Sequence, residues 1–143
     1  MGLDTADTCV FCRIAQKEER ASFIFEDEAV IAFLDARPVN EGHTLVVPKK
    51  HYENIFEIPD DEVAHLFKVV KKVAAAIMSA ENAEGLRIVQ NNGSAANQIV
   101  FHIHVHVIPE YEGRDPRLPR PRASPGQSEL DRVAGRIRKF LSE

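Results

Sequence analysis

The chain has no apolar stretch near the ~20 residues that a helix needs to cross a bilayer, which excludes a helical membrane span. Basic residues are outnumbered, 18 Lys and Arg against 22 Asp and Glu, so a general cationic face for duplex nucleic acid is excluded too. The opening residues, MGLDTADTC, lack the basic and apolar regions of a secretory signal, and Ala6 stands where N-myristoylation needs Ser or Thr. A cytoplasmic location is therefore expected. Internal repeats and low-complexity tracts are missing. At 143 residues, 44% hydrophobic and 28% charged, the chain suits one soluble domain with its own core.

Cysteine occurs only at Cys9 and Cys12, in a Cys-x-x-Cys pair. In a cytosolic chain that spacing points to metal or redox chemistry rather than a structural disulfide. The redox reading needs a βαβ frame with the pair opening a helix. A helical turn or two could follow Cys12, but no parallel βαβ pattern does, so metal is favoured.

Three of the six histidines, His102, His104 and His106, alternate with apolar residues in one short run. Side chains two apart in an extended strand share a face, so the three imidazoles should stand in a row about 6.5–7 Å apart. Phe101, Ile103, Val105 and Val107 then point the other way, into a core. Such a row suits a nucleophile, a proton carrier or a metal better than it suits packing.

Around this strand the pattern is mixed. Residues 23–25 and 29–34 read as a hairpin with an acidic turn, and 36–42 as a loop. The strand from His43 to Val47 is stopped by Pro48. A helix starts at Pro59-Asp60-Asp61-Glu62, with Val63, Leu66, Phe67, Val70, Val73, Ala74 and Ile77 on its apolar stripe to about residue 80. His65 lies off that stripe and reads as a surface residue. Leu86 to Gln90 forms another strand and 91–97 a turn-rich loop. Residues 112–127, rich in Pro and Arg, read as a solvated connection. A final helix follows a Ser128 cap, with Leu130, Val133, Ala134, Ile137 and Leu141 on one face. The sum is an α+β fold.

Residues His102 to Ile108 match every position of His-φ-His-φ-His-φ-φ, with φ apolar, and so resemble the histidine triad (HIT) family of nucleotide hydrolases and transferases. The resemblance extends to Phe33-Leu34-Asp35, to Gly42 through His51, to Asn91-Asn92-Gly93 and to Gln98, covering roughly residues 9–110. It implies a HIT-like fold, an antiparallel sheet of about five strands with one long helix and additional short or terminal helices. It also implies a homodimer with a continuous sheet. Residues 1–111 would form the HIT domain. Residues 112–143 would be an extension packed on that domain or on a dimer partner.

The resemblance further implies roles for single residues. His104 is the nucleophile at the α-phosphorus, forming a nucleotidyl-histidine that water resolves. His106 helps place the phosphate or the leaving group's proton, and His43 supports it from the neighbouring strand. Asp35 takes the ribose hydroxyls, while Phe33 with Ile24 or Phe25 forms the slot for the base. Asn91, Gln98 and the Ile99 amide contact phosphate or sugar. Asn97 replaces a glycine common in the family, and Ile99 replaces a Ser or Thr. Cys9, Cys12, His51 and His102 together hold a structural zinc, a closed tetrahedral site.

The expected reaction is hydrolysis at the α-phosphate of a nucleoside 5′-phosphate derivative, an adenosine phosphoramidate or a dinucleoside polyphosphate. Two alternatives use the same pocket. One is a nucleotidyl transferase or phosphorylase, and the other a nucleotide-binding regulatory protein with negligible turnover. The chain has no Trp, so the Trp-containing tail of the phosphoramidase branch is missing. Arg114, Arg117, Arg120 and Arg122 could reach a polyphosphate, although the solvated reading is preferred for them.

Overall fold

Strands β1 (Phe23–Glu26), β2 (Val30–Leu34), β3 (Thr44–Pro48), β4 (Gly85–Val89) and β5 (Val105–Glu110) form one sheet. Every pairing is antiparallel and the order is β1-β2-β3-β5-β4. Helices α1 (Val10–Ala15), α2 (Asp60–Glu81) and α3 (Gln127–Arg138) complete an α+β fold in this computed structural model, which describes residues 8–141.

Period-two alternation sorts the central strands between two layers. Val30, Ala32, Leu34 and Val46 face the side covered by α2 and α3, where Leu66, Val70, Val73, Ile77, Val133 and Ile137 join them in the main core. Ile31, Phe33, Leu45 and Val47 face the other side and pack with Cys9, Phe11, Cys12 and Ile14 of the α1 region. Ile103, Val105 and Val107 are fully buried in the main core, so His104 and His106 are left on the α1 side of the sheet.

The turns follow from local chemistry. Asp27 Oδ1 accepts the Ala29 and Val30 amides at 2.8 Å each, closing the β1–β2 hairpin by a side-chain turn. Helix α2 carries Asp60, Asp61 and Glu62 in its first turn, at the positive end of its dipole, and ends at left-handed Asn82. Gly42, before β3, holds φ +96°, and a Cβ there would stand 2.9 Å from Glu81 Cγ. Only glycine suits that position, and it delivers the chain to His43.

The structure corrects several sequence expectations. The histidine strand begins at Val105 rather than Phe101, and Phe101 is only half-buried. His102 and His104 belong to an extended lead-in, held where the Ile103 amide donates to Tyr52 O at 2.8 Å. Strand β5 also runs through Pro109, whose missing N–H the ladder does not need at that pairing. On α2, Phe67 is partly exposed while Val69 and Ala76 take its place in the core. Helix α3 is capped at Gly126, without a side-chain hydrogen bond from Ser128. Among the described residues no helix is long and apolar enough to cross a membrane.

Candidate active site and metal centre

Helix α1 opens on Cys9, whose Sγ accepts the Cys12 amide at 3.4 Å, so one turn of helix brings both sulfurs to the same side. They meet two imidazoles from distant parts of the chain. Cys9 Sγ lies 3.3 Å and Cys12 Sγ 3.5 Å from His102 Nδ1, and Cys12 Sγ lies 3.4 Å from His51 Nδ1. All four donor atoms fall within 4.8 Å of one another. A tetrahedral Zn²⁺ with ordinary Zn–S and Zn–N bonds sets its S and N ligands about 3.6 Å apart, so the donor set fits that ion. His102 Nε2 donates to Pro48 O at 2.8 Å, which leaves Nδ1 with its lone pair toward the sulfurs.

The same residue orients its neighbour through the backbone. His104 Nδ1 donates to His102 O at 2.8 Å, so Nε2 keeps the free lone pair. Burial holds the His104 imidazole below its ordinary pKa, favouring the neutral, nucleophilic ring. The His106 ring stands beside it, centroids 5.0 Å apart.

Behind His106 the hydrogen bonds form a directed chain. The Val39 amide donates to His43 Nδ1 at 3.0 Å, so neutral His43 carries its proton on Nε2. That N–H donates to His106 Nδ1 at 3.0 Å, and the His106 proton is thereby left on Nε2. Burial, reinforced by His106, pushes His43 down to about 3. Burial, reinforced by His104, pushes His106 down to about 4. Asp35 lies 3.6 Å from His43 Nε2, and Asp35, His43 and His106 are close enough to suggest a second metal cage. A metal there needs lone pairs on His43 Nε2 and His106 Nδ1, but the Val39 amide forces a proton onto the first. The cluster is a proton chain in this form.

A cleft of about 870 Å³ opens over these rings. Of the residues singled out from the sequence, Asp35, Phe33, Asn91, Ile99, His104 and His106 line it. Two others do not. Ile24 packs in the main core with α2 and α3, across the sheet from the triad, because β1 is bulged between Phe23 and Phe25. Phe25 packs against that same core. Gln98 is buried, with its amide spent on the backbone: Oε1 accepts from Gly93 N at 2.7 Å, and Nε2 donates to Glu53 O at 2.6 Å and Val100 O at 3.1 Å. Those bonds tie the 91–99 loop to Glu53. In that loop Asn97 adopts φ +71°, which Asn tolerates better than most residues.

Sequence reasoning missed two contributors. Phe11 stands edge-on to His104 with centroids 5.0 Å apart, and also touches His102 and Phe33. Its place inside the Cys-x-x-Cys pair is the signal that could have found it. The second is the Arg-rich segment, which is docked rather than solvated. Arg120 makes a two-bonded pair with buried Glu110, Arg114 reaches Asn40, and Arg122 meets Asp35 at 2.8 Å. Arg120 is the least exposed of the four, while Arg117 pairs with nearby Asp115 on the surface. His65 is also paired, to Asp27 at 2.7 Å.

Comparison with known proteins agrees with this geometry. The HIT domain family model matches residues 16–113. A histidine triad nucleotide-binding protein of Sulfolobus tokodaii superposes with a TM-score of 0.86 at 43% identity, over 93% of this chain and 91% of that one. A Zn-bound histidine triad family protein of Mycobacterium smegmatis gives 0.84 at 36% identity, over 96% and 95%. The adenylylsulfatase HINT3 of Arabidopsis thaliana is 38% identical over 104 residues, 73% of this chain and 53% of its own length. With the family model matched over most of its length and the fold shared at this level of identity, the chain belongs to the histidine triad family of nucleotide-binding proteins.

Proposed function

We propose that the protein hydrolyses nucleoside 5′-phosphate derivatives at the α-phosphorus through a covalent nucleotidyl-histidine. The observation that carries this reading is the His104 Nδ1 bond to His102 O, which frees Nε2 for attack beside the cleft. A bond forms from His104 Nε2 to phosphorus as the bond to the leaving group breaks. His106 Nε2–H hydrogen-bonds the leaving group, which takes its proton from solvent. Water then attacks phosphorus, breaks the P–N bond, returns His104 to the neutral ring and gives up its proton to solvent, releasing a nucleoside monophosphate. An imidazole suits both halves, since it attacks when neutral and leaves when protonated. Asp35 accepts the ribose hydroxyls, Phe33 borders the base, and Asn91 and the Ile99 amide lie near the phosphate. The adenylylsulfatase among its relatives supports a substrate whose leaving group hangs on an adenylyl phosphate.

Cys9, Cys12, His51 and His102 hold a structural zinc in this reading. It ties the N-terminal helix to the sheet and takes no part in the phosphorus chemistry. Strand β4 is a free sheet edge with Ile88 half-exposed, which supports a homodimer through that edge. The thiol pair suits a reducing compartment, the cytoplasm.

His104→Asn tests the reading, assayed for AMP release from an adenosine phosphoramidate and a diadenosine polyphosphate. Wild type should turn over at least one of them about 10³-fold faster. Equal, slow release by both proteins would remove His104 as nucleophile. Formation of ADP on adding inorganic phosphate would make the enzyme a phosphorylase instead.

A further inference from the structure

We propose that Arg122, from the segment beyond the family-model match, is a nucleotide-recognition residue: it holds the Asp35 carboxylate in place to accept the ribose 2′- and 3′-hydroxyls. The proposal rests on Asp35 being the ribose acceptor, as read above.

The geometry begins with the segment itself. Residues 112–126 cross the sheet end without regular structure but are anchored at several points. Arg120 grips Glu110, Arg114 reaches Asn40, and the Ala123 amide donates to Pro38 O at 3.0 Å. Those bonds are enough to dock the chain. Arg122 stands one residue before Ala123, and its side chain lines the cleft shared with His104 and His106.

There it closes a ring around Asp35. Nη2 donates to Asp35 Oδ2 at 2.8 Å and Nε donates to Arg37 O, while the Arg37 amide donates to Asp35 Oδ1 at 2.8 Å. A carboxylate has about four acceptor positions, so two remain after Arg122 and Arg37 take theirs. Two neighbouring acceptors on a fixed plane match the two donors of a vicinal diol. Asp35 needs this help because its side chain is only 14% exposed, and burial raises its pKa. The Arg37 amide and the Arg122 guanidinium charge both oppose that rise. The role is one of positioning: Arg122 acts on the sugar through Asp35.

The test is binding of AMP and of 2′,3′-dideoxy-AMP by calorimetry to wild type, Asp35→Asn, Arg122→Gln and Arg122→Lys, each checked for folding by circular dichroism. Wild type should prefer AMP by about tenfold, and Asp35→Asn should lose that preference. Arg122→Gln should bind AMP about five- to tenfold more weakly, with the dideoxy nucleotide changed less than about twofold. Arg122→Lys, keeping the charge, should recover most of the loss. If Asp35→Asn loses the preference and Arg122→Gln keeps it, Arg122 is only a tether and this inference fails alone. Equal loss of both ligands in Arg122→Gln also overturns it. If wild type does not distinguish the two nucleotides, the ribose reading of Asp35 fails and takes this inference with it.

Discussion

His43 Nε2 and His106 Nδ1 stand 3.0 Å apart, and the Val39 amide fixes from behind which of the two donates. A backbone N–H thus sets the tautomer of a ring two residues removed from it.

That relationship predicts an asymmetric kinetic effect. His43→Gln should leave KM within about twofold and lower kcat by about 10- to 100-fold, because His106 loses the partner that keeps its proton on Nε2. His106→Asn should cost more, about 10²- to 10³-fold in kcat. Steady-state kinetics on the preferred substrate decides the matter, and an unchanged kcat in His43→Gln would remove the chain from the mechanism.

Acid should destabilise the fold through the same pair. Their folded pKa values, about 3 and about 4, lie below the ordinary histidine value of about 6.5. Above pH 6.5 both rings are neutral folded or unfolded, and they contribute no pH dependence. Between about 6.5 and 4 the unfolded chain binds protons that the native one refuses, so stability falls as pH falls. At pH 4.5 the cost is on the order of 2 to 3 kcal/mol for each ring. Urea unfolding at pH 7 and 4.5 measures it, and His43→Gln should show a shallower acid loss than wild type.

Metal content provides a separate check. Wild type should carry about one zinc per chain and Cys9→Ser/Cys12→Ser well under a tenth of that. The double variant should also melt at lower temperature, since α1 loses its tie to the sheet. Equal zinc in both proteins removes the four-ligand site.

Glu110 is the anchor of the C-terminal segment. It takes two bonds from Arg120, one from Arg87 at 2.9 Å and one from Asn40 at 3.3 Å. Glu110→Ala leaves the mostly buried Arg120 without its carboxylate and should cost about 3 kcal/mol. Denaturant unfolding reads that loss, and proteolysis should then cut first within 112–126.

Much of this was legible along the chain because period and spacing are local. The alternation in 102–107 places Ile103, Val105 and Val107 in the core as expected, and Cys9, Cys12, His51 and His102 come together as the family resemblance implies. Ile24 was misplaced for a definite reason. A bulge inserts one residue into β1, so Ile24 and Phe25 both turn toward the main core and the period of two is lost there. The bonds that tie Gln98 to Gly93, Glu53 and Val100 were not legible, because a buried backbone that needs partners is invisible in a residue name. Arg122 meets a carboxylate 87 positions away, and no local pattern reports such a contact.

His102 carries three unrelated obligations: Nδ1 toward the sulfurs, Nε2 on Pro48, and a carbonyl under His104. A substitution there removes both ring bonds at once, and with them two of the ties holding the segment whose carbonyl orients His104. An inactive His102 variant therefore speaks about scaffolding, and genetic screens that score the three triad positions alike will count one structural pillar as chemistry.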